Sequence, residues 1–211
     1  MKYEHFISIG SRCHASSFLK RNKLKKESYP FDWIYSNLYM IIHCIDTNFI
    51  FFLDKNYYSI ANPDNYNQTH LYYYPDYNTM FNHHNPLNNI DYEYFKRCIN
   101  RFYNVLKSKE KKLFLLMLDH NDSNPHYTYN DFINYNENIF DLINYKLSIL
   151  TDNYEILIII HKKNDNNNYH FFKNNNLTVL FFSTYSYSNG VSFTNENDNI
   201  ILDTIFKQHY L

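Results

Sequence analysis

Leu113-Phe114-Leu115-Leu116-Met117-Leu118 is six residues long and carries no polar side chain. The run is too short for a core helix and does not alternate, so it reads as a strand buried on both faces. Residues 156–160 and 177–182 repeat the pattern, and Phe6-Ile7-Ser8-Ile9 is a shorter version closed by Gly10. Helical periodicities lie between these strands. Ser11 is a plausible N-cap for a helix over about 12–23 that turns Ala15, Phe18 and Leu19 inward and ends in basic residues. Further helices are expected at about 37–46, from Asp91 onward with Phe95, Cys98 and Phe102 inward, at about 129–150, and at 200–206. Apolar strands alternating with helices predict a mostly parallel sheet covered on both faces, a three-layer α/β fold. With no internal repeat and no linker, residues 1–211 read as a single domain with one long loop at about 54–89.

Composition narrows the function classes. The chain has 211 residues, 20 Lys+Arg against 21 Asp+Glu, and a net charge of −1. It has no global basic field, so nucleic acid is not an expected partner. Aromatics reach 20% while Gly is 2 and Pro 5. These values exclude collagen-like and disordered compositions. No apolar run approaches the ~20 residues that span a bilayer, and the N-terminus has no secretory apolar segment. A cytoplasmic protein without membrane contact is the expectation. The 33 Asn residues follow the drift of an AT-rich coding sequence, so most are surface filler.

Three cysteines, Cys13, Cys44 and Cys98, form no C-x-x-C pair, which argues against a disulfide framework and against a four-thiolate zinc site. Cys44 and Cys98 sit on apolar helix faces, where a thiol acts as a small hydrophobe. Cys13 instead opens a helix just after a strand and a glycine. Free N–H groups there favour a thiolate and can hold the oxyanion formed when it attacks a carbonyl, and Arg12 and His14 would add positive charge. In open α/β sheets, sites gather at the carboxyl ends of the strands. Those ends carry Ser11-Arg12-Cys13, Asp119-His120, His161 and Ser183-Thr184. The base is expected among His83, His84, His120 and His161, with Asp119 or Asp32 orienting it. Ser11, Arg12, Asp32 and His120 are the candidates for holding the substrate or its oxyanion. Against this stands a plainer account: Cys13 as packing, His83-His84 as solvated loop residues, and Ser28–Trp33 as a Pro-fixed turn.

Residues 6–34 resemble a known family. Ile7-Ser8-Ile9-Gly10-Ser11-Arg12-Cys13, then Ala15, Leu19-Lys20-Arg21, and Glu27-Ser28-Tyr29-Pro30-Phe31-Asp32-Trp33-Ile34 are similar to the DUF1796 family, labelled as papain-like cysteine peptidases. Phe81-Asn82-His83-His84 and Phe95–Phe102 fit more loosely. The resemblance implies a thiol nucleophile at Cys13 and a base from the 83–84 pair, although Asn85 after His84 departs from the family pattern. It also implies an alternative fold, the papain-like α+β arrangement.

A Cys–His–carboxylate set forms thioester acyl-enzymes, and arylamine acetyltransferases show that such a set can pass acetyl from a thioester to an amine. The family's association with glycan-building enzymes makes an amino sugar or sugar nucleotide the implied acceptor. The expected function is therefore N-acyl transfer, with acetyl-CoA as acyl donor and no tightly bound cofactor. The alternatives are a papain-like peptidase or hydrolase, and a non-catalytic carbohydrate-binding module using aromatics such as Tyr72-Tyr73-Tyr74. A metal site on Cys13 and nearby histidines ranks last, since no ligand spacing supports it. The expected partner is a small molecule, with a homo-oligomer left open.

Overall fold

The computed structural model describes residues 2–62, 67–74, 79–119 and 137–211. In chain order, β1 (His5–Ser8) is followed by α1 (Cys13–Arg21), α2 (Leu38–Asp46), β2 (Tyr58–Asn62) and β3 (Asn67–His70). Next come α3 (Asn89–Lys107), β4 (Lys112–Asp119), α4 (Glu137–Leu150), β5 (Tyr154–Lys163), β6 (Asn168–Asn174), β7 (Leu177–Thr184) and α5 (Glu196–Tyr210). A five-stranded sheet runs β1-β4-β5-β7-β6. The first four strands are parallel, and β6 closes the far edge antiparallel.

Alternation along each strand assigns the two faces. Ile7, Phe114, Leu116, Ile156 and Ile158 pack with residues of α2, α3 and α4 on one side. Phe6, Leu115, Met117, Leu157 and Ile159 pack with α1 and α5 on the other. β4 and the middle of β5 therefore read as unbroken apolar runs because neither of their faces meets water, while Phe181 of β7 is exposed, and the domain has three layers as the periodicity predicts. The α+β alternative, with a helical half and a barrel-like half, is not the arrangement found.

Two elements depart from the sequence reading. The stretch at 54–89 is not a bare loop. A 3-10 turn at Lys55–Tyr57 leads into the antiparallel β2–β3 hairpin. Its Tyr58 and His70 join Phe52 and Phe81 in an aromatic layer with ring separations of 5.3 to 6.2 Å. β6 is a strand the apolar pattern does not reveal. Apart from the partly covered Phe171, its side chains are exposed, so no run of buried residues marks it. The predicted start of the helix at 129–150 lies outside the described residues, and the described helix begins at Glu137.

A fully buried lysine ties the strand starts together. Lys112 Nζ donates to the carbonyls of Ser108, Glu110 and Asp152 at 2.7, 2.8 and 3.1 Å, so the ammonium ion replaces its water shell with backbone oxygens. Among the described residues no helix is long and apolar enough to cross a membrane.

Candidate active site

The ladder between β1 and β4 continues past the end of β1 into the loop that carries Cys13. Ile9 N–H donates to Leu115 O at 2.8 Å, Met117 N–H to Gly10 O at 2.9 Å, and Ser11 N–H to Met117 O at 3.1 Å. Ser11 Oγ donates to the same Met117 carbonyl at 3.0 Å. Ser11 thus commits both of its donors to the neighbouring strand, which differs from the oxyanion role expected of it. Gly10 has φ +107°, and a Cβ there would run into Ser36 Oγ. Only glycine combines that dihedral with so close an approach.

Cys13 is the first residue of α1 and is 7% exposed. Burial pushes its thiol up to about 11, with the nearby Asp32 charge adding to the rise; its own N–H and Arg12 pull the other way without prevailing. The helix terminus alone predicts a lowered value. The structure reverses that expectation because desolvation of a thiolate outweighs partial charges on amide groups. The resting thiol is neutral.

One residue further along the first turn, His14 is turned into a second cluster. It is buried, its Nδ1 lies 2.9 Å from Ser188 Oγ, and its ring meets Phe193 edge-on at 4.8 Å. Burial, reinforced by Arg21 and His161, drives its pKa down to about 3. A neutral His14 supplies no charge to stabilise a thiolate, contrary to the sequence expectation. Asp119 completes this cluster at the end of β4, accepting the Ser188 N–H at 3.2 Å and standing 3.4 Å from His161 Nδ1. His161 Nε2 is 2.9 Å from Thr184 Oγ1, which donates its proton to Ser186 O at 3.1 Å. Thr184 must therefore accept from His161, which places a proton on Nε2. Both nitrogens of His161 are turned to interior groups. The cavity enclosed by this cluster is about 10 Å³, the scale of a single water.

A different imidazole–carboxylate pair stands at the start of α3. His84 Nδ1 is 3.1 Å from Asp91 Oδ1, and Asp91 also accepts the Asn85 N–H at 2.8 Å. Partial burial works against the Asp91 charge, but the Asn85 N–H, His84 and Asn88 hold its carboxyl below the ordinary carboxylate range. The His84 ring stacks on Tyr94 at 4.1 Å, and His83, which is exposed, lies edge-on to Trp33 at 5.8 Å.

Backbone bonds join this pair to the Cys13 loop. Ser36 N–H donates to Ser11 O at 2.7 Å, Tyr35 N–H to Met80 O at 2.9 Å, and Ile34 bridges Phe81. The intervening turn is anchored by Asp32, which is fully buried, accepts the Tyr29 N–H at 2.7 Å and pairs with Lys25. Arg12 lies over the Tyr35 ring, 5.5 Å from its centroid. Among the described residues no hydrogen bond joins Cys13 Sγ to an imidazole, and His120 lies outside them.

The structure thus sets His161 beside Asp119, and His84 beside Asp91. Asp91 escapes sequence reasoning because an acid three residues after an Asn cap is what helix capping alone would place there. Ser188 carries no sequence signature at all. Tyr72-Tyr73-Tyr74 does not form an open stacking platform: Tyr74 is buried, and Tyr72 stacks on His43 at 5.1 Å. Among the described residues no group of three or more His, Cys, Asp or Glu is arranged to hold a metal ion.

Comparison with curated proteins and with solved structures gives no significant match. A family match covers residues 4–164, a stretch that contains Cys13, His83, His84, Asp91, Asp119 and His161 and ends before Ser188. The chain belongs to the DUF1796 family, described as "Putative papain-like cysteine peptidase".

Proposed function

We propose that the protein is a thiol enzyme in which Cys13 forms a thioester acyl-enzyme, His84 is the base and Asp91 orients it. One observation carries the reading. Cys13 opens a helix at the carboxyl edge of the sheet, on a loop bonded to the segment leading to an imidazole whose Nδ1 is already held by a carboxylate. With Nδ1 facing Asp91, Nε2 is the nitrogen left to take a proton. His161 is the weaker candidate because Thr184 occupies its Nε2.

The neutral thiol gives its proton to His84 Nε2 as substrate closes on the site. Sγ attacks the carbonyl carbon, the C–S bond forms, and the carbonyl electron pair moves onto oxygen. In this reading the N–H groups of the first turn of α1 receive that charge. Collapse of the adduct breaks the bond to the leaving group, which takes the proton from His84. A second nucleophile then attacks the thioester and gives its proton to His84; the C–S bond breaks, and the departing Cys13 sulfur takes that proton back to become the neutral thiol again.

The second nucleophile separates the two forms of this function. We infer that it is the amine of a small acceptor, such as an amino sugar or sugar nucleotide, and that a thioester such as acetyl-CoA is the donor. Near-complete burial of Cys13 favours a route from which bulk water is kept. The second reading is papain-like hydrolysis, which the family description favours. Incubation with acetyl-CoA and glucosamine tests the first form: it yields N-acetylglucosamine with wild type and none with Cys13→Ala, a variant shown by its cooperative melt to be folded. Equal turnover by that variant refutes the proposal. Peptide cleavage without amine acetylation selects the hydrolase.

A further inference from the structure

A groove of about 600 Å³ opens where the end of α1, the turn after it and α3 meet. That volume is in the range of small-molecule sites. Lys20, Lys25, Lys26, Arg97 and Arg101 line it, against a single carboxylate, Glu27. In a chain whose net charge is −1, so one-sided a wall is a local field rather than a reflection of composition.

Some of these cations are committed. Lys25 pairs with Asp32, Lys26 lies 3.5 Å from Glu4, and Arg101 Nη1 reaches Ser28 O at 3.4 Å. The side chains of Lys20 and Arg97 have no ion pair or hydrogen bond among the described residues, and both residues are exposed. The groove thus keeps uncompensated charge, one end of it a guanidinium suited to two phosphate oxygens at once. The same wall carries two aromatic rings, the half-buried Trp33 and Tyr94.

We propose that this groove binds a nucleoside diphosphate, its base against Trp33 and its pyrophosphate against Lys20 and Arg97. The inference deepens the acyl-transfer reading and rests on it for its meaning, since acetyl-CoA and nucleotide sugars both carry that group. Geometry gives the connection. Trp33 follows Asp32, whose charge reaches Cys13, and the two rings of the groove are the ones that His83 and His84 contact. The groove and the proposed base thus share a wall, since the rings that would hold the ligand are packed against the imidazoles.

Trp33 is the only tryptophan in the chain, so indole fluorescence reads this groove directly. Titration of the full chain with ADP, CoA, UDP, adenosine and inorganic pyrophosphate is expected to give saturable quenching by nucleotides. Adenosine and pyrophosphate are expected to bind at least about tenfold more weakly, because each supplies half of the contacts. Preference for CoA and ADP identifies the donor as the occupant, and preference for UDP the acceptor. Lys20→Ala/Arg97→Ala is expected to weaken nucleotide binding about tenfold or more with an unchanged melt.

Absence of nucleotide quenching, equal affinity for pyrophosphate alone, or no effect of the double variant each overturns the proposal. Binding is also measured in Cys13→Ala. Retention of nucleotide there, whatever the turnover, separates failure of the groove from failure of the thiol chemistry.

Discussion

His84 Nδ1 lies 3.1 Å from Asp91 Oδ1, and the backbone N–H of the very next residue, Asn85, donates to the other oxygen of that carboxylate at 2.8 Å. The carboxylate therefore fixes both the imidazole and the chain that carries it. Stacking on Tyr94 fixes the ring plane as well. His161, by contrast, has Asp119 on one nitrogen and Thr184 on the other.

This difference gives the first prediction. His84→Gln is expected to slow acylation of Cys13 by p-nitrophenyl acetate about 10²–10⁴-fold, the usual contribution of a positioned base. Asp91→Asn is expected to have a smaller effect in the same direction. His161→Gln should lower stability with acylation within a few-fold of wild type. A larger acylation loss in His161→Gln than in His84→Gln would assign the base to the Asp119 cluster.

Burial of Cys13 predicts an unusual pH profile for the free enzyme. With its thiol at about 11, alkylation by iodoacetamide should keep rising above pH 9 and show no plateau near neutrality. The sign for stability follows from the same shift. The unfolded thiol ionises near 9.0 and the folded one near 11, so Cys13 contributes stability below pH 9 that is lost as pH rises through that interval. Urea midpoints at pH 8 and pH 10 should differ less in Cys13→Ala than in wild type.

On the acid side His14 contributes together with His70, whose pKa burial lowers to about 4. The pKa of His14 falls from 6.5 to about 3 on burial, so the unfolded state takes up a proton that the folded state refuses. Stability from this group is complete above pH 6.5 and is lost as pH falls from there toward 3. His14→Gln should flatten that slope in denaturation midpoints between pH 7 and pH 4, even where it lowers stability overall. An unchanged slope would mean that His14 is already charged in the folded protein.

Gly10 is expected to tolerate no side chain. Gly10→Ala must hold a positive φ and displace Ser36 Oγ, and should lose on the order of 2–3 kcal/mol in urea unfolding. Adding Ser36→Ala removes the collision and leaves the dihedral, so the double variant should recover only part of the loss.

The parallel strands were readable because both of their faces are buried. Every position from Leu113 to Leu118 had to be apolar, and the pattern survives without any knowledge of the partner strand. β6 was not readable, since an exposed edge strand carries no such constraint, and the β2–β3 hairpin was hidden in Tyr- and Asn-rich sequence. The position of Cys13 at the opening of a helix was legible from the strand and glycine before it. Its ionisation was not, because that depends on how much water Asp32, Arg12 and the surrounding core leave around the sulfur. The same holds for His84: the residue could be named, but the carboxylate behind it lies seven positions on, in a helix turn where an acid looks like a cap.

The most direct test is the intact mass of the protein after brief exposure to an activated acyl thioester, followed by peptide mapping. Wild type should gain one acyl group, located on Cys13, while Cys44 and Cys98, both fully buried, stay free. Cys13→Ala should gain none. Acylation of Cys13→Ala to the wild-type extent, or an adduct on either of the other thiols, would contradict the assignment of Cys13 as the nucleophile.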